Sequence, residues 1–418
     1  MKEFQHTAFY ITHEGEKDWL ISQINAGKLF SIPLLNELNG EIFSNSTLQH
    51  FIDEEFRHDH FEIATINKNS LSSSSSGEQR NALLAYIIEK KPGYIIIDNV
   101  FESLDKETRQ SILIKLSALS ATILFLQVFN RKSDLLPFIH TVYSIEGRRL
   151  ISCKPRELFL EQPYSMANNT FEGSIPTPLA RYELPDGPLV KMNGVSVKYN
   201  GRPVLQNIYW EINAGEFWHL TGPNGSGKTT LLSLITGNSS KGYGQDLLIF
   251  GQRKGTGETV WQLKEKIGYF TPTMTLHFDR QDSIEQMIIS GFYDSVGLYI
   301  TPTDRQVSLA REWLSVIKMD KYRMQPFRTI PPANQRMVLI ARAMVKHPPL
   351  LILDEPTSGL DDEEAALFTH LINKIASETN TAILYVSHRD EEGLCPDKIY
   401  TLSPESGGST GKIYAPSL

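Results

Sequence analysis

The sequence is poor in three features that would each point to a class of protein. It has only two cysteines, Cys153 and Cys395, about 240 positions apart, so neither a disulfide framework nor a cysteine-rich zinc site is indicated. No apolar run approaches the roughly 20 residues of a membrane-spanning helix, and the start, MKEFQHTAFY, lacks the apolar core of a signal peptide. The net charge of −7 argues against a broadly basic surface for nucleic acid. We therefore expect a soluble cytoplasmic chain, or one held peripherally at the inner face of a membrane through a partner.

The length of 418 residues suggests two or three domains, and one segment has the composition of a linker. Residues 166–188 hold four prolines among polar residues, which predicts a partly extended connection. We therefore expect a first domain over residues 1–165 and a second over residues 189–418.

A hidden repeat lies on either side of this linker. The stretch KKPGYIIIDNVFESLD (90–105) aligns without a gap with KHPPLLILDEPTSGLD (346–361), at a spacing of 256 positions. Both predict the end of a helix, a proline-marked turn, a buried strand, an acidic strand end and a loop. Two unrelated buried strands are the alternative, because short apolar runs are common. Shared residues within the apolar pattern favour a duplication: Lys90 and Lys346, Pro92 and Pro348, Asp98 and Asp354, and Asp105 and Asp361.

The most specific motif of the sequence is GPNGSGKTT, which fits the phosphate-loop pattern G-x-x-x-x-G-K-[ST]. It follows the strand-like EFWHLT and precedes the helical LLSLITG, which is the context that the motif requires. Glycines let backbone N–H groups turn toward a phosphate, and the helix adds its positive N-terminal end. A glycine-rich structural turn is the alternative. The predicted nucleotide-binding residues here are Gly222, Pro223, Asn224, Gly225, Ser226, Gly227, Lys228, Thr229 and Thr230.

Roles within this site follow from side-chain chemistry. Lys228 is expected to reach the β- and γ-phosphates of a nucleotide, and the Thr229 hydroxyl is expected to bind Mg²⁺. The strand LLILDEP ends in Asp354, a second candidate ligand of Mg²⁺, followed by Glu355, a candidate base that polarises the attacking water. Lone acidic residues after a strand are usually loop residues, but the upstream phosphate loop favours the catalytic interpretation.

Two further residues have both a structural and a functional interpretation. His388 closes the strand AILYVSH; a histidine there is often structural, but in this motif order it could contact the γ-phosphate. Tyr199 lies 29 residues before Lys228 and could stack on adenine. A half-buried tyrosine of a strand is an equal alternative for Tyr199.

The order of these motifs resembles the ATP-binding cassette (ABC) ATPases. The resemblance covers residues 189 to about 400, and 70–130 more weakly. The stretches SGFYDSVGLY (290–299) and LIARAMVKHPP resemble the ModF type, which are paired ATPases associated with molybdenum transport and photorepair. The resemblance implies an α/β fold with two tandem phosphate-loop domains, each with a mostly parallel sheet and a helical subdomain, and an antiparallel β-subdomain in the second. It also implies that ATP lies between the phosphate loop of one cassette and a signature, usually LSGGQ, of the other.

The two signature positions differ in a way that bears on activity. In the second half the position reads IPPANQR (330–336), where Pro331 replaces the serine and neither it nor Pro332 has an N–H to donate. In the first half it reads SSSGEQR (74–80), with Ser75 and Gly77 where the gripping serine and glycine belong. Composition alone would make LSSSSSG a flexible linker, but the gapless repeat places it at the start of a helix.

The first half has the complementary defect. Its opening, FYITHEGEKDWLISQIN, predicts a strand and a helix but has no glycine-rich loop and no GK[ST]. Asn99 stands where the second half has Glu355, and the strand ILFLQVF lacks a terminal histidine. We therefore expect that the first half has lost every part of its own site. One composite site, in which Ser75 and Gly77 complete the second-half loop within one chain, should hydrolyse ATP with Mg²⁺ to ADP and phosphate.

One departure from the family pattern concerns the partner. After the strand KIGYF the family usually has a glutamine that links Mg²⁺ to the helical subdomain, but here the position is Thr271 or Pro272. Three purposes stay open: a soluble switch that acts on another macromolecule, the energy subunit of a membrane permease for molybdate or another oxyanion or small solute, and a DNA-repair-associated ATPase. The missing glutamine weakens the second, and the acidic charge, with no strong nucleic-acid signature, weakens the third.

Overall fold

The computed structural model describes residues 4–12, 16–26, 38–58, 63, 70–102, 104–162, 171, 173–184, 186–257, 259–278 and 281–415. The chain forms two compact units. The first comprises Met1–Ala167 and Gly359–Glu363, and the second comprises Asn168–Ser358 and Glu364–Leu418. Residues 166–170, 172 and 185 of the predicted linker, and 13–15 of the opening segment, lie outside the described residues.

The first unit is built on one six-stranded sheet in which five strands are parallel. The strand order is β2-β3-β4-β1-β5-β6, and only β6 runs antiparallel, to β5. The interior strand β3, next to the edge strand β2, is buried at every residue, as expected for the apolar run YIIID in a parallel sheet covered on both faces. The strands are β1 (Thr7–Ile11), β2 (Gly40–Ser44), β3 (Tyr94–Asp98), β4 (Leu124–Phe129), β5 (Thr141–Glu146) and β6 (Arg149–Pro155).

Five α-helices are described in the first unit, and their apolar faces pack on the two faces of this sheet. One core joins the helices that follow β2 and β3 to one face, and another joins the helix after β1 to the opposite face. The helices are α1 (Lys17–Asn25), α2 (Asn45–His58), α3 (Ser76–Glu89), α4 (Lys106–Leu119) and α5 (Arg156–Leu160).

The second unit contains a six-stranded sheet of the same topology and a separate antiparallel sheet. The main sheet has the order β12-β13-β14-β9-β15-β16, with only β16 antiparallel, and the smaller sheet has the order β11-β10-β7-β8. The strands are β7 (Val190–Tyr199), β8 (Arg202–Ile212), β9 (Phe217–Thr221), β10 (Leu247–Ile249), β11 (Gln252–Arg253), β12 (Ile267–Phe270), β13 (Leu350–Asp354), β14 (Ala382–Val386), β15 (Lys398–Ser403) and β16 (Thr410–Tyr414).

The helices of the second unit include a helical group between β12 and β13, where the sequence predicted a subdomain. Four helices, α8 to α11, lie between β12 and β13 in the sequence. The helices are α6 (Lys228–Ile235), α7 (Val260–Glu265), α8 (Met274–His277), α9 (Ile284–Ser290), α10 (Asp304–Val316), α11 (Pro332–Met344) and α12 (Asp362–Glu378). The predicted α/β class, with two mostly parallel sheets and an antiparallel sheet in the second unit, is confirmed.

The repeat in the sequence is confirmed by elements that recur at the predicted spacing. The strands β3 and β13 lie 256 positions apart, and so do the 3-10 turns Leu71–Ser73 and Phe327–Thr329. Hydrogen bonds recur with the elements. The Gln79 amide donates to the Leu71 carbonyl at 2.7 Å, and Gln335, 256 positions on, donates to the Phe327 carbonyl at 3.2 Å.

The same correspondence holds for the arginine beside each glutamine. Arg80 donates to the Glu102 carbonyl at 2.8 Å, and Arg336 donates to the Ser358 carbonyl at the equivalent position. The residue after each acidic strand end also has the same backbone conformation, with φ of 43° at Asn99 and 48° at Glu355. Such matched irregularities indicate that both units keep one loop geometry around their strand ends.

The described part of the predicted linker is attached to the second unit. The Ile175 N–H donates to the Glu378 carboxylate at 2.7 Å, and the Tyr182 hydroxyl donates to the Glu265 carbonyl at 2.9 Å. Residues near the prolines therefore have fixed partners, which a prediction from composition could not identify. In the described part of the chain, no helix combines the length and the apolar character needed to cross a bilayer.

Candidate active site

The phosphate loop connects β9 to α6, as the motif predicted. Gly227 has a φ of 93°, and a side chain there would come within 2.7 Å of Leu205. Gly222 has a φ of 149°, and a Cβ would lie 2.7 Å from the Leu402 carbonyl oxygen. Both positions therefore need glycine for space as well as for backbone conformation.

Lys228 begins α6 and folds back over the loop. Its ammonium group donates to the Gly222 carbonyl at 2.8 Å and to the Pro223 carbonyl at 3.1 Å. Thr229 follows in the first turn of α6 and is exposed, so its hydroxyl is accessible to an ion. Ser226 is fully buried, and its hydroxyl has no hydrogen-bond partner among the described groups. Lysine, hydroxyl and loop N–H groups are the donors that a polyphosphate would use.

Asp354 ends β13, the strand separated from β9 by β14 alone. Its Oδ2 accepts a hydrogen bond from the Tyr269 hydroxyl at 3.3 Å. Burial raises the pKa of Asp354, while this hydrogen bond and the charge of Lys228 oppose that shift. The sequence motif pointed to Asp354 but gave no sign of Tyr269, which lies on β12.

Glu355 and His388 face each other at the ends of adjacent strands. The Glu355 N–H donates to the Val386 carbonyl at 2.8 Å, and its Oε1 lies 3.5 Å from His388 Nε2. Burial raises the pKa of Glu355 to about 7, with Lys228 opposing the shift and Asp354 adding to it. A carboxyl group with a pKa near neutrality can accept a proton from water at physiological pH.

Tyr199 lies away from the buried core, at the exposed end of β7. Its side chain is 41% exposed, and the Lys241 ammonium lies 5.6 Å from the ring centroid. A strand tyrosine that is 41% exposed fits both interpretations considered from the sequence, and stacking on adenine stays a prediction.

The candidate functional residues of the second unit thus lie together at one edge of the main sheet, the edge that the carboxyl ends of its parallel strands form. The phosphate loop, Asp354 and His388 follow the carboxyl ends of β9, β13 and β14, which are neighbours in the sheet. In open parallel sheets this edge is where ligands bind.

Comparisons with known proteins agree with this arrangement. A family profile described as "ABC transporter" matches residues 205–358. The ABC transporter ATP-binding protein ModF of Escherichia coli (strain K12) is 37% identical over 342 residues, which are 79% of this chain and 70% of ModF. The chain belongs to the ATP-binding cassette (ABC) family of ATPases.

A second relative and one solved structure are also similar to this chain. The uncharacterized ABC transporter ATP-binding protein C323.04 of Schizosaccharomyces pombe is 27% identical over 349 residues, which are 81% of this chain and 69% of that protein. A chain from the complex of the archaeal ribosomal stalk protein aP1 with the archaeal ribosome recycling factor aABCE1 has a TM-score of 0.63 at 14% identity, covering 98% of this chain and 85% of that one. At this identity the likeness concerns the fold alone.

The two helices at the ABC signature positions begin differently. In the second unit, α11 begins at Pro332 after Pro331, and no side chain caps its first N–H groups. In the first unit, α3 begins after Ser75, whose hydroxyl accepts from the Glu78 N–H at 3.3 Å while the Glu78 carboxylate accepts from the Ser75 N–H at 2.9 Å. LSSSSSG is therefore a capped helix start, as the repeat predicted, and Gly77 lies in its first turn.

The first unit retains a lysine that the sequence motifs did not reveal. Pairing with β4 and β14 aligns Phe9 of β1 with Leu220 of β9, and Lys17 and Lys228 each follow eight positions later. Each lysine is also the first residue of the helix after its strand. The expectation that the first half has lost every part of its site is therefore wrong for this position.

The retained lysine serves a different partner. Lys17 Nζ lies 2.8 Å from Asp98 Oδ2, and Asp98 is the counterpart of Asp354. The Asp98 side chain is 2% exposed and that of Lys17 is 16% exposed. Burial raises the pKa of Asp98, and the charge of Lys17 opposes that shift. The lysine therefore neutralises a buried carboxylate of its own unit, a pairing that a search for glycine-rich loops cannot find.

Proposed function

We propose that the chain hydrolyses ATP at one site, built on the phosphate loop of the second unit and completed by the signature helix of the first. Gly222 to Thr230, Asp354, Glu355 and His388 supply one side. Ser75 and Gly77 supply the other. The first unit then serves the site of the second and has no ATP site of its own.

The division of parts between the units carries this proposal. The second unit has a phosphate loop, but its own signature helix starts with Pro331 and has no capping side chain. The first unit has a serine-capped signature helix, but its lysine is paired with Asp98 at 2.8 Å. Among the described residues, each unit keeps a part that the other lacks, which supports a single composite site.

The residues at the second-unit edge suit Mg²⁺. A carboxylate at Asp354 and a hydroxyl at Thr229 are hard oxygen ligands, which this ion prefers. The buried Ser226 hydroxyl of the same loop has no hydrogen-bond partner among the described groups. When bound, Mg²⁺ would neutralise charge on the β- and γ-phosphates.

Side chains of the second unit would accept the proton from water and contact the nucleotide. Glu355 is the candidate base, because its carboxylate can accept a proton from the attacking water. His388, 3.5 Å from Glu355, would contact the γ-phosphate. Lys228 would exchange its loop carbonyls for phosphate oxygens, which are stronger acceptors because they are charged. Tyr199 would stack on the adenine ring.

Ser75 and Gly77 are proposed to hold the γ-phosphate. The α3 helix has 14 residues, and its first N–H groups carry the positive end of the helix dipole. A serine hydroxyl at its start could turn from Glu78 to a phosphate oxygen. Hydrogen bonds to charged groups contribute about 1.5–3 kcal/mol each, so this helix start can decide whether bound ATP is hydrolysed.

The work that hydrolysis drives is best described as a switch acting on a macromolecular partner in the cytoplasm. The segment after β12 reads TPTMTL and offers no glutamine of the kind that couples family members to a permease. The match to the ABC transporter profile favours a second candidate, the energy subunit of a membrane transporter. Purification from native membranes separates the two, because only the second predicts a co-purifying permease.

The proposed chemistry is tested by Glu355→Gln. The variant should bind ATP with wild-type affinity, because the loop, Lys228 and Asp354 are intact. Its steady-state turnover should fall at least about a hundredfold, the usual effect of removing a positioned base. Glu285→Gln is a matched control, since Glu285 pairs with Arg311 at 2.8 Å on the surface of the same unit. Wild-type turnover in Glu355→Gln would remove Glu355 from the mechanism.

A further inference from the structure

One polar side chain touches the proposed Mg²⁺ ligand from a neighbouring strand. Tyr269 pairs with Ile352 in the parallel ladder between β12 and β13, and Asp354 lies two positions beyond Ile352. Side chains two positions apart on a strand point to the same face, so the tyrosine and the aspartate share one face of the sheet. The Tyr269 hydroxyl donates to Asp354 Oδ2 at 3.3 Å, which is long for a hydroxyl donor and leaves Oδ1 for another ligand.

The first unit provides an internal comparison for this contact. There the pairing of β2 with β3 matches Ile42 to Ile96, the counterpart of Ile352, so Ile42 occupies the position of Tyr269. The first unit, in which Lys17 neutralises Asp98, thus has an apolar residue at this position. The unit with the phosphate loop has a hydroxyl that reaches the carboxylate.

The tyrosine also lies where the chain departs from its family. Residues 271–276, which follow β12, contain no amide side chain, and Thr271 contacts Thr273 at 3.5 Å between their hydroxyls. Instead, Tyr269, one position before the end of β12, supplies a polar group that contacts Asp354, the proposed metal ligand. Tyr269 is only partly buried and its ring packs against the main core, which fixes the direction of the hydroxyl.

We propose that Tyr269 is a positioning residue that holds the Asp354 carboxylate in the orientation that binds Mg²⁺ with ATP. This rests on the proposed function, in which Asp354 is a ligand of the ion. A hydrogen bond to one carboxylate oxygen orients the other, and removing such a partner typically weakens metal affinity about 10- to 100-fold. Tyr269 does not touch the reacting phosphate in this role.

The test compares ATP binding with and without the metal. Dissociation constants for ATP are measured calorimetrically in Mg²⁺ and in EDTA for the wild type and for Tyr269→Phe, with the thermal midpoint of unfolding as a stability readout. Tyr400→Phe is the matched control. Tyr400 lies on β15 of the same sheet as Tyr269, away from Asp354, and the hydroxyl that the substitution removes donates to the Tyr209 carbonyl at 3.2 Å.

The expected result is specific to the metal. In Tyr269→Phe the gain in ATP affinity on adding Mg²⁺ should shrink about 10-fold or more, while the affinity in EDTA and the thermal midpoint stay at wild-type values. Tyr400→Phe should keep the full gain. An unchanged Mg²⁺ gain in Tyr269→Phe, or an equal loss of affinity in both buffers, would overturn the positioning role. Failure of the proposed function looks different, because the wild type itself would bind no ATP in either buffer.

Discussion

Two aspartates at equivalent strand ends have opposite electrostatic surroundings. Asp98 is paired with Lys17 at 2.8 Å, while Asp354 accepts a neutral hydroxyl from Tyr269 at 3.3 Å. Lys228, the counterpart of Lys17, points to the carbonyls of its own loop. A carboxylate already matched by a fixed ammonium attracts a cation weakly, because its charge is neutralised. A cation at Asp98 would therefore have to compete with the ammonium group of Lys17.

The ion pair predicts a stability defect in Lys17→Met. Removing the lysine leaves Asp98 buried without a counter-charge, which typically costs about 3–5 kcal/mol in the free energy of unfolding. The defect should depend on pH. Without Lys17 the folded-state pKa of Asp98 rises further above its ordinary value of 3.8, so stability is full below about pH 4 and is lost as pH rises through the folded pKa. Chemical denaturation at several pH values measures this.

The control for Lys17→Met is the double variant with Asp98→Asn. An amide has nearly the shape of the carboxylate and carries no charge to desolvate. The double variant should therefore recover most of the lost stability at neutral pH and lose the pH dependence. A single variant as stable as the wild type at pH 7 would show that the pair contributes nothing.

Residues such as Lys17 and Tyr269 are beyond the reach of motif reasoning. The loop before Lys17 has no glycine pattern, and only the pairing of β1 with β4 reveals the register that aligns it with Lys228. Tyr269 and Asp354 are 85 positions apart, and their contact depends on the pairing of β12 with β13. Strand register is set by tertiary packing, so neither contact follows from local sequence.

At the scale of elements, the gapless repeat made the helix starts predictable. The spacing of 256 positions aligns α3 with α11 in sequence, and both helices begin where that spacing predicts. Cap chemistry is local and is therefore visible in sequence: Ser75 with Glu78 forms a capping box, and Pro331 cannot. The contacts of the linker with Glu378 and Glu265 could not be predicted from local sequence, because these partners are distant in the chain.

The start of α3 gives a prediction on hydrolysis. Ser75→Ala should lower turnover about 10- to 100-fold while ATP affinity stays within about threefold, because one hydrogen bond to a charged group is lost and the loop contacts remain. Ser283→Ala is the matched control, since Ser283 caps α9 with the same kind of capping box but is not proposed to meet ATP. Steady-state ATPase assays and calorimetry on both variants measure the split.

The reciprocal change concerns the start of α11. Rebuilding residues 330–334 as LSGGQ should leave turnover nearly unchanged, because the first unit has no phosphate loop for it to serve. A severalfold rise in turnover, or full activity in Ser75→Ala, would contradict the proposed role of the first unit. Gly77 is a poorer target, since a Cβ there would lie 2.7 Å from the Thr108 side chain and would disturb the packing of α3 on α4.

At the scale of the whole molecule, the chain contains two units with the same main-sheet topology, and the division of one ATP site between them is our proposal. Both main sheets keep one strand order, and the family profile matches only residues 205–358, within the unit that keeps the phosphate loop. The α/β class followed from sequence, and so did the position of the phosphate loop between a strand and a helix, because that motif is contiguous. The strand order of the first sheet did not follow from sequence, since it is set by the pairing of strands that are distant in sequence.

The stoichiometry of ATP binding tests the single-site proposal most directly. Calorimetric titration of ATP with Mg²⁺ into the hydrolysis-deficient Glu355→Gln chain should give one ATP per chain. Adding Lys228→Ala should abolish that binding, because the loop loses the ammonium that meets the β- and γ-phosphates, whereas adding Lys17→Met should leave one ATP bound. Two ATP molecules per chain, or one ATP that survives Lys228→Ala, would contradict a single centre on the second unit.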